Sequence, residues 1–424
     1  MPMPQPLLAL PQSPQQPPKW LIPLLGSLVA FGPLSIDMYL PALPQMGSEL
    51  QASPGQMQYT LGAFFIGFCV GMLLYGPLSD TLGRRKILLA GLALFSLASL
   101  LCSFSTQVEQ LILLRALQAF GSGAAIVMAR AIARDIYANH ELPRVLSLMT
   151  LVTMIAPLIA PLLGGFLLLH FNWPSIFMLL CGMGLLSMLV VFCFLPETLA
   201  SKRISNVSPG LSPSVKHLIG SAFDNYKQLI ADKYTLGIIG TLAFSFAAMF
   251  AFISGSPFIY INYFNISAQY YGLLFGCNIL GMMLMLLVNV RALRRYNLPK
   301  LLFMQTTAQL VFGLLLVICY QQSLPVIVVL IVLFLSLVNA IGTNSLSLLL
   351  QHRASLAGSA SALAISVQFA MAALASVAVS VLQDGSPFAM TLVMAVCAAL
   401  SWISQRFSAK HASTQLQSLS SETK

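Results

Sequence analysis

The chain has 424 residues, 58% of them hydrophobic and only 8% charged, with a mean hydropathy of +0.86. A soluble fold of this length would lack the polar residues to cover its surface, so composition excludes a soluble globular protein and leaves a polytopic membrane protein. The net charge of +10 does not point to nucleic acid, because the basic residues sit in small clusters between apolar runs and form no stripe on one domain.

Residues 1–19 are rich in Pro and Gln and carry no basic n-region, so they read as a disordered cytoplasmic tail and not a signal peptide. Apolar runs bounded by polar, Pro or Gly breaks then predict twelve helical spans, an all-α membrane fold of two six-helix bundles. The first six lie at about 20–40, 57–79, 87–104, 108–129, 145–169 and 175–195, and form an N-terminal bundle over 20–195. A polar linker, 196–234, follows. The second six lie at about 235–259, 269–290, 300–320, 324–348, 357–382 and 387–405, and form a C-terminal bundle over 235–405 before a Ser/Thr-rich tail, 406–424.

Charge supports this count. With twelve spans, Lys19, Arg84–Lys86, Arg130, Arg134, Arg144, the linker bases from Lys202 to Lys233, Arg291, Arg294, Arg295, Lys300, Arg353, Arg406, Lys410 and Lys424 all fall on one side. The opposite loops carry Glu49, Glu109 and Asp384 and no base. The positive-inside rule therefore predicts that both termini and the linker are cytoplasmic.

Span one is interrupted at Gly32-Pro33 and span seven at Gly255-Ser256-Pro257. Breaks at corresponding places in two halves point to a transport site, although proline is also tolerated in ordinary membrane helices. Asp37 lies about seventeen residues into span one, roughly 25 Å from its cytoplasmic edge in the outer half of the bilayer. A carboxylate there is expected to take up and release protons, unless the span ends early and leaves it at the interface. Arg115 sits inside span four, several residues from its outer end, where it needs an acceptor or must snorkel. Gln118, one turn on, can share its face. We expect Arg115 to stand near Asp37 and tune its protonation.

The seven cysteines all fall in apolar runs with no CxxC spacing, as buried small hydrophobes do. Enzyme signatures are missing. His140-Glu141-Leu142-Pro143-Arg144 is a near miss for HExxH, and neither a GxSxG elbow nor a GxxxxGK[ST] phosphate loop occurs. The expected cofactor set is therefore empty, with protons as the coupling ion.

Gly76, Leu78, Ser79, Asp80, Gly83, Arg84 and Arg85, between spans two and three, fit the pattern G-x-L-[AS]-D-x-x-G-R-[RK]. With RALQAFGSGAA in span four and APLIAPLLGGF in span five, the chain resembles the major facilitator superfamily in its twelve-span drug:proton antiporter family. More narrowly, SIDMYLPALP and FAFISGSPFIYI are similar to the bicyclomycin/chloramphenicol-resistance branch. The resemblance implies antiport through the span-five segment at Pro157, Pro161, Gly164 and Gly165, where Ala160 departs from the usual glycine. Ala119 is a matching departure in span four. It also implies a conformational gate of Gly76, Asp80, Gly83, Arg84 and Arg85, with Asp80 reaching helix ends of both halves and Arg84 pairing with Asp135.

The predicted function is a proton-driven inner-membrane exporter of small amphipathic drugs or metabolites, working as a monomer by rocking of two bundles. Its partners would be the small-molecule substrate and the lipid bilayer, with no nucleic acid. Tyr39, Gln118, Tyr260, Asn278 and Gln368, polar or aromatic groups inside spans, are the expected cavity residues. A proton-coupled importer or facilitator of the same fold is the alternative. An intramembrane enzyme or channel would need a catalytic cluster or polar-lined pore that the sequence does not display.

Overall fold

The computed structural model describes residues 18, 20–137, 141–199, 224–353 and 356–422. Lys19, His140, Lys202 and the linker bases up to Lys216, His217 and Lys424 lie outside them. Among the described residues there is no strand, and twelve helices are long and apolar enough to cross a membrane. These are span 1 (Leu21–Glu49), span 2 (Pro54–Leu82), span 3 (Arg84–Ser103), span 4 (Val108–Ile136), span 5 (Arg144–His170) and span 6 (Pro174–Phe194). The second half contains span 7 (Lys233–Tyr263), span 8 (Ala268–Ala292), span 9 (Leu298–Ile318), span 10 (Leu324–His352), span 11 (Gly358–Leu382) and span 12 (Phe388–His411). The helix of span 12 continues to Glu422, through the residues read as a tail.

Local chemistry starts these helices where the chain leaves a loop. Ser53 caps span 2 reciprocally: its hydroxyl accepts from the Gln56 N–H at 3.2 Å, and the Gln56 side chain accepts from the Ser53 N–H at 2.8 Å. Pro54, Pro174, Pro299 and Pro325 occupy first-turn positions, where a missing N–H costs nothing. Asp232 caps span 7 through the Tyr234 and Thr235 N–H groups.

The two halves share much of one packing scheme, although span 7 packs extensively on span 12 where span 1 barely touches span 6. In the first, span 1 packs on span 5, span 2 on span 4, and span 3 on spans 4 and 6; in the second, span 7 packs on span 11, span 8 on span 10, and span 9 on spans 10 and 12. The halves meet through span 2 against span 11 and span 5 against span 8, itself a symmetric pair.

Two expectations need correction. Span 1 does not break at Gly32-Pro33: its α-helix runs through Pro33 to Asp37, turns through a short 3₁₀ stretch at Leu40–Ala42, and resumes over Leu43–Glu49. The Trp173 indole N–H, donating to Glu49 at 2.6 Å, ties down its far end. In span 7 the α-helix likewise continues through Gly255 and Ser256 to Pro257, and the break follows directly as a wide π-turn over Phe258–Tyr263. The cysteines are also not uniformly interior, since Cys193 and Cys277 are exposed on the outer faces of spans 6 and 8.

Candidate functional site

A cavity of about 460 Å³ lies between the halves, within the size range of small-molecule sites. Its wall is apolar and soft: Phe68, Phe246, Phe250, Phe252, Phe275 and Phe369 alternate with Met72, Met154, Met249, Met282 and Met283. The rings interlock across the halves, with Phe65 on Phe250 at 4.4 Å and Phe68 on Phe369 at 4.5 Å between centroids. Unbranched thioethers adapt to differently shaped ligands, which suits a wall that accepts more than one.

The polar groups are few. Asp37 lines the cavity at 4% exposure, where span 1 leaves its α-helix, and its carboxylate has no ion pair among the described residues. Asn278 in span 8 lies in the same wall at 1% exposure with its Oδ1 unpartnered. Tyr271 in span 8 is fully buried, and its hydroxyl shares a 2.9 Å hydrogen bond with Ser256 beside the span 7 break. The segments that follow Asp37 in span 1 pack against span 7 and its π-turn.

Just beyond Asp37 the halves close. A side chain at Gly164 would collide with the Met38 carbonyl, and one at Gly165 would stand 3.1 Å from the Ala268 carbonyl of span 8. The span-five glycines therefore let span 5 touch the span 1 break on one side and the other half on the next. Pro157, a turn and more earlier, lines the cavity, and Pro161 lies between, buried. Span 2 meets span 11 at the same end, with the Ser380 hydroxyl donating to the Gly55 carbonyl at 2.8 Å and the Ser376 hydroxyl to that of Gln58 at 3.3 Å. At the opposite end the cavity wall includes Arg130, Thr150 and Thr343, all exposed. The cavity is closed at the end that lacks basic loops and accessible from the basic end.

Of the five expected cavity residues, Asn278 and Gln368 line it and three do not. Tyr39 is fully buried in the first half, its hydroxyl sharing a 2.6 Å hydrogen bond with Thr60. Gln118 is committed to Arg115 and Ser99. Tyr260 packs against Phe252 and Tyr271. Polarity inside a span identified buried groups but not the helix face they occupy.

Arg115 is not beside Asp37, and no ion pair joins them. It is fully buried, with its guanidinium 4.4 Å from the Phe64 ring centroid and 4.6 Å from that of Tyr39, and Nη1 donating to Gln118 at 2.6 Å. Two ring faces stand where a carboxylate was expected, while Nε and Nη2 have no hydrogen-bond partner among the described residues.

The Gly76–Arg85 segment, read as a turn between spans, is helical on both sides of Gly83 and is tied within the first half. Arg84 pairs with Asp80 at 2.5 Å and, as expected, with Asp135 at 3.2 Å, and also donates to Ser79. Among the described residues the partners of Asp80, Arg84 and Arg85 lie in the first half or at Glu197 just after it, so here the segment does not bridge the bundles. Sequence reading missed Glu197, just after span 6. Its carboxylate accepts from the Arg84 and Arg85 N–H groups at 2.9 and 3.2 Å, capping the positive end of span 3. Gly83, at φ +99°, leaves room for it. It also missed Arg130, counted among loop charges because span 4 was ended at residue 129; the helix runs on to Ile136 and carries Arg130 into the cavity wall.

Two six-span bundles around a closed-ended central cavity define a membrane transporter. The sequence pattern described as Major Facilitator Superfamily matches residues 25–376, and the chain belongs to that superfamily. It is 29% identical over 385 residues to a bicyclomycin resistance protein homolog of Haemophilus influenzae, covering 90% of this chain and 94% of the relative. It is 38% identical over 257 residues to an uncharacterized MFS-type transporter of Bacillus subtilis, covering 60% of this chain and 61% of that one. With multidrug resistance protein D of Escherichia coli it shares 33% over 223 residues, 53% of this chain and 54% of the relative. These names match the bicyclomycin- and multidrug-resistance branch that the motifs resemble. The fold superposes on a D-xylose–proton symporter with a TM-score of 0.70 at 15% identity, covering 92% of this chain and 96% of the other.

Proposed function

We propose that this multi-pass transporter is a proton-driven antiporter of the bacterial inner membrane, exporting small amphipathic compounds as a monomer with both termini cytoplasmic. The observation that carries the reading is Asp37: an unpaired, nearly buried carboxylate at a helix break, in the wall of the cavity and one residue from the closure. A carboxyl group placed there can take up a proton from the cavity's water and release it when the cavity's contents change. Export is supported by the resistance names of the relatives and by the aromatic, methionine-rich wall. The basic loops favour a cytoplasmic position for the accessible end by the positive-inside rule, and on this reading the cavity loads substrate from inside.

Proteoliposomes carrying a pH-sensitive dye test this. Adding a transported compound, found by screening in a pump-deficient strain, should drive protons opposite to it, and Asp37→Asn should abolish that flux while the protein remains monodisperse. Coupled antiport by Asp37→Asn would sink the assignment, and protons moving with the compound would favour an importer.

A further inference from the structure

Arg130 lines the cavity with no hydrogen bond or ion pair among the described residues. An arginine serving only to orient a helix would reach lipid headgroups, whereas this one borders the space between the halves. Arg134, one turn on, adds its positive charge to the same end. Asp37, also without an ion pair, lines the same cavity at its closed end. A largely apolar cavity is therefore lined by one basic and one acidic side chain, neither with an ion pair of its own among the described residues.

Their spacing follows from helix register. A side chain at Gly32 would meet Ile126 at 3.0 Å, so these residues share a level. Asp37 is five residues beyond Gly32 toward the closed end and Arg130 four beyond Ile126 toward the open one. At ~1.5 Å per residue their backbones are roughly 13 Å apart along the axis. Side chains lean toward the N-terminus of their own helix. In these antiparallel spans that brings the two side-chain ends toward each other, to on the order of 10 Å. Phe and Met side chains make up much of the wall of the same cavity.

We propose that Arg130 is an anion-binding subsite, and that the compounds this cavity takes are bipolar amphiphiles. Such a compound has a carboxylate that Arg130 receives, an apolar body among the Phe and Met side chains, and an ammonium or other donor group that meets Asp37. Guanidinium suits this task because its planar fork donates two parallel hydrogen bonds to a carboxylate. The role assigned to Asp37 rests on the transport reading; the pairing with Arg130 is tested by binding alone.

The probe is 4′-(aminomethyl)biphenyl-4-carboxylic acid, a rigid bipolar molecule of about the required length. It is compared with its primary carboxamide and its N-acetyl derivative by equilibrium binding to the purified full-length chain in detergent. The acid should bind wild type about tenfold more tightly than the carboxamide. Arg130→Gln should bring the acid to the carboxamide's affinity, and Arg130→Lys should keep part of the preference. Asp37→Asn should keep the preference for the acid but lose that for the free amine over the N-acetyl form. Equal binding of acid and carboxamide by wild type, binding of neither at about 1 mM, or a preference that survives in monodisperse Arg130→Gln overturns the proposal. Failure here is separable from failure of antiport. If Arg130→Gln abolishes the preference while Asp37→Asn still antiports, the transport reading falls and the subsite stands; the converse pair of results removes the subsite alone.

Discussion

A guanidinium with no exposure must replace water, and Arg115 does so with two ring faces within 5 Å and one amide oxygen. A desolvated cation–π contact is worth about 2 kcal/mol, and an ammonium stacks less well than a planar guanidinium. Arg115→Lys should therefore lower the melting temperature in detergent, by the equivalent of about 2 kcal/mol. The pH midpoint of proton coupling should not move, because Arg115 makes no ion pair with Asp37. A moved midpoint with an unchanged melting temperature would restore the electrostatic role that the sequence suggested. Tyr39 links the two residues mechanically: two positions after Asp37, it is held by the Arg115 guanidinium on its ring and by Thr60 on its hydroxyl.

At the level of helices, contact between spans depends on missing side chains. Gly164 gives span 5 its approach to the span 1 break, whereas Gly182 in span 6 faces open space. Gly164→Ala should abolish transport by forcing these segments apart, while Gly182→Ala should transport normally; equal activity in both would show that the approach is unnecessary. A second clasp joins span 7 to span 10. Asp232 accepts from the Thr235 hydroxyl at 2.6 Å, from Arg353 Nη2 at 3.0 Å, and bonds His352 Nε2 at 2.9 Å. Burial pushes its carboxyl up, but the bonds from Thr235, Arg353 and His352 and the Arg353 charge outweigh it and hold it at about 2, against an ordinary 3.8. Because the folded value lies below the unfolded one, the clasp contributes fully above about pH 4 and is lost as pH falls toward 2; the gap amounts to about 2 kcal/mol. Melting temperatures measured from about pH 5 down to about pH 2.5 should fall more steeply in wild type than in Asp232→Asn. Parallel curves would show that the clasp adds no stability.

Taken whole, the molecule is a pair of repeated bundles meeting along spans 2 and 11 and along spans 5 and 8, and at the closed end hydroxyl groups of span 11 bond carbonyls of span 2. A two-state transporter must separate that contact to open the other way. A side chain on Gly55 would lie 3.0 Å from the Ser380 hydroxyl oxygen, close enough for a disulfide between cysteines at both positions. With the seven native cysteines replaced, oxidising Gly55→Cys/Ser380→Cys should stop transport, and a reductant should restore it. The cavity should still bind ligand from the open end while cross-linked. Undiminished transport by the cross-linked protein would mean that this contact is not a moving gate.

How much of this was legible beforehand depends on the kind of interaction. Solvation is read residue by residue: apolar run lengths and the sorting of Lys and Arg between loops determined twelve spans and two halves, because lipid imposes length and charge placement on each segment separately. Close-approach signals such as Gly164-Gly165 and the Arg84–Asp135 pair were legible too, as motifs between neighbouring elements. Helix rotation was not. Whether Tyr39, Gln118 or Arg130 faces the cavity depends on about 100° per residue over a long helix and on where that helix ends, so moving the end of span 4 from 129 to Ile136 turned an orientation charge into a cavity wall residue. Distance across helices was likewise decided only by the tertiary structure: two residues that looked like a pair, Asp37 and Arg115, are set apart because Arg115 packs on Tyr39, and two residues of helical backbone turn Tyr39 to a face about 200° from that of Asp37.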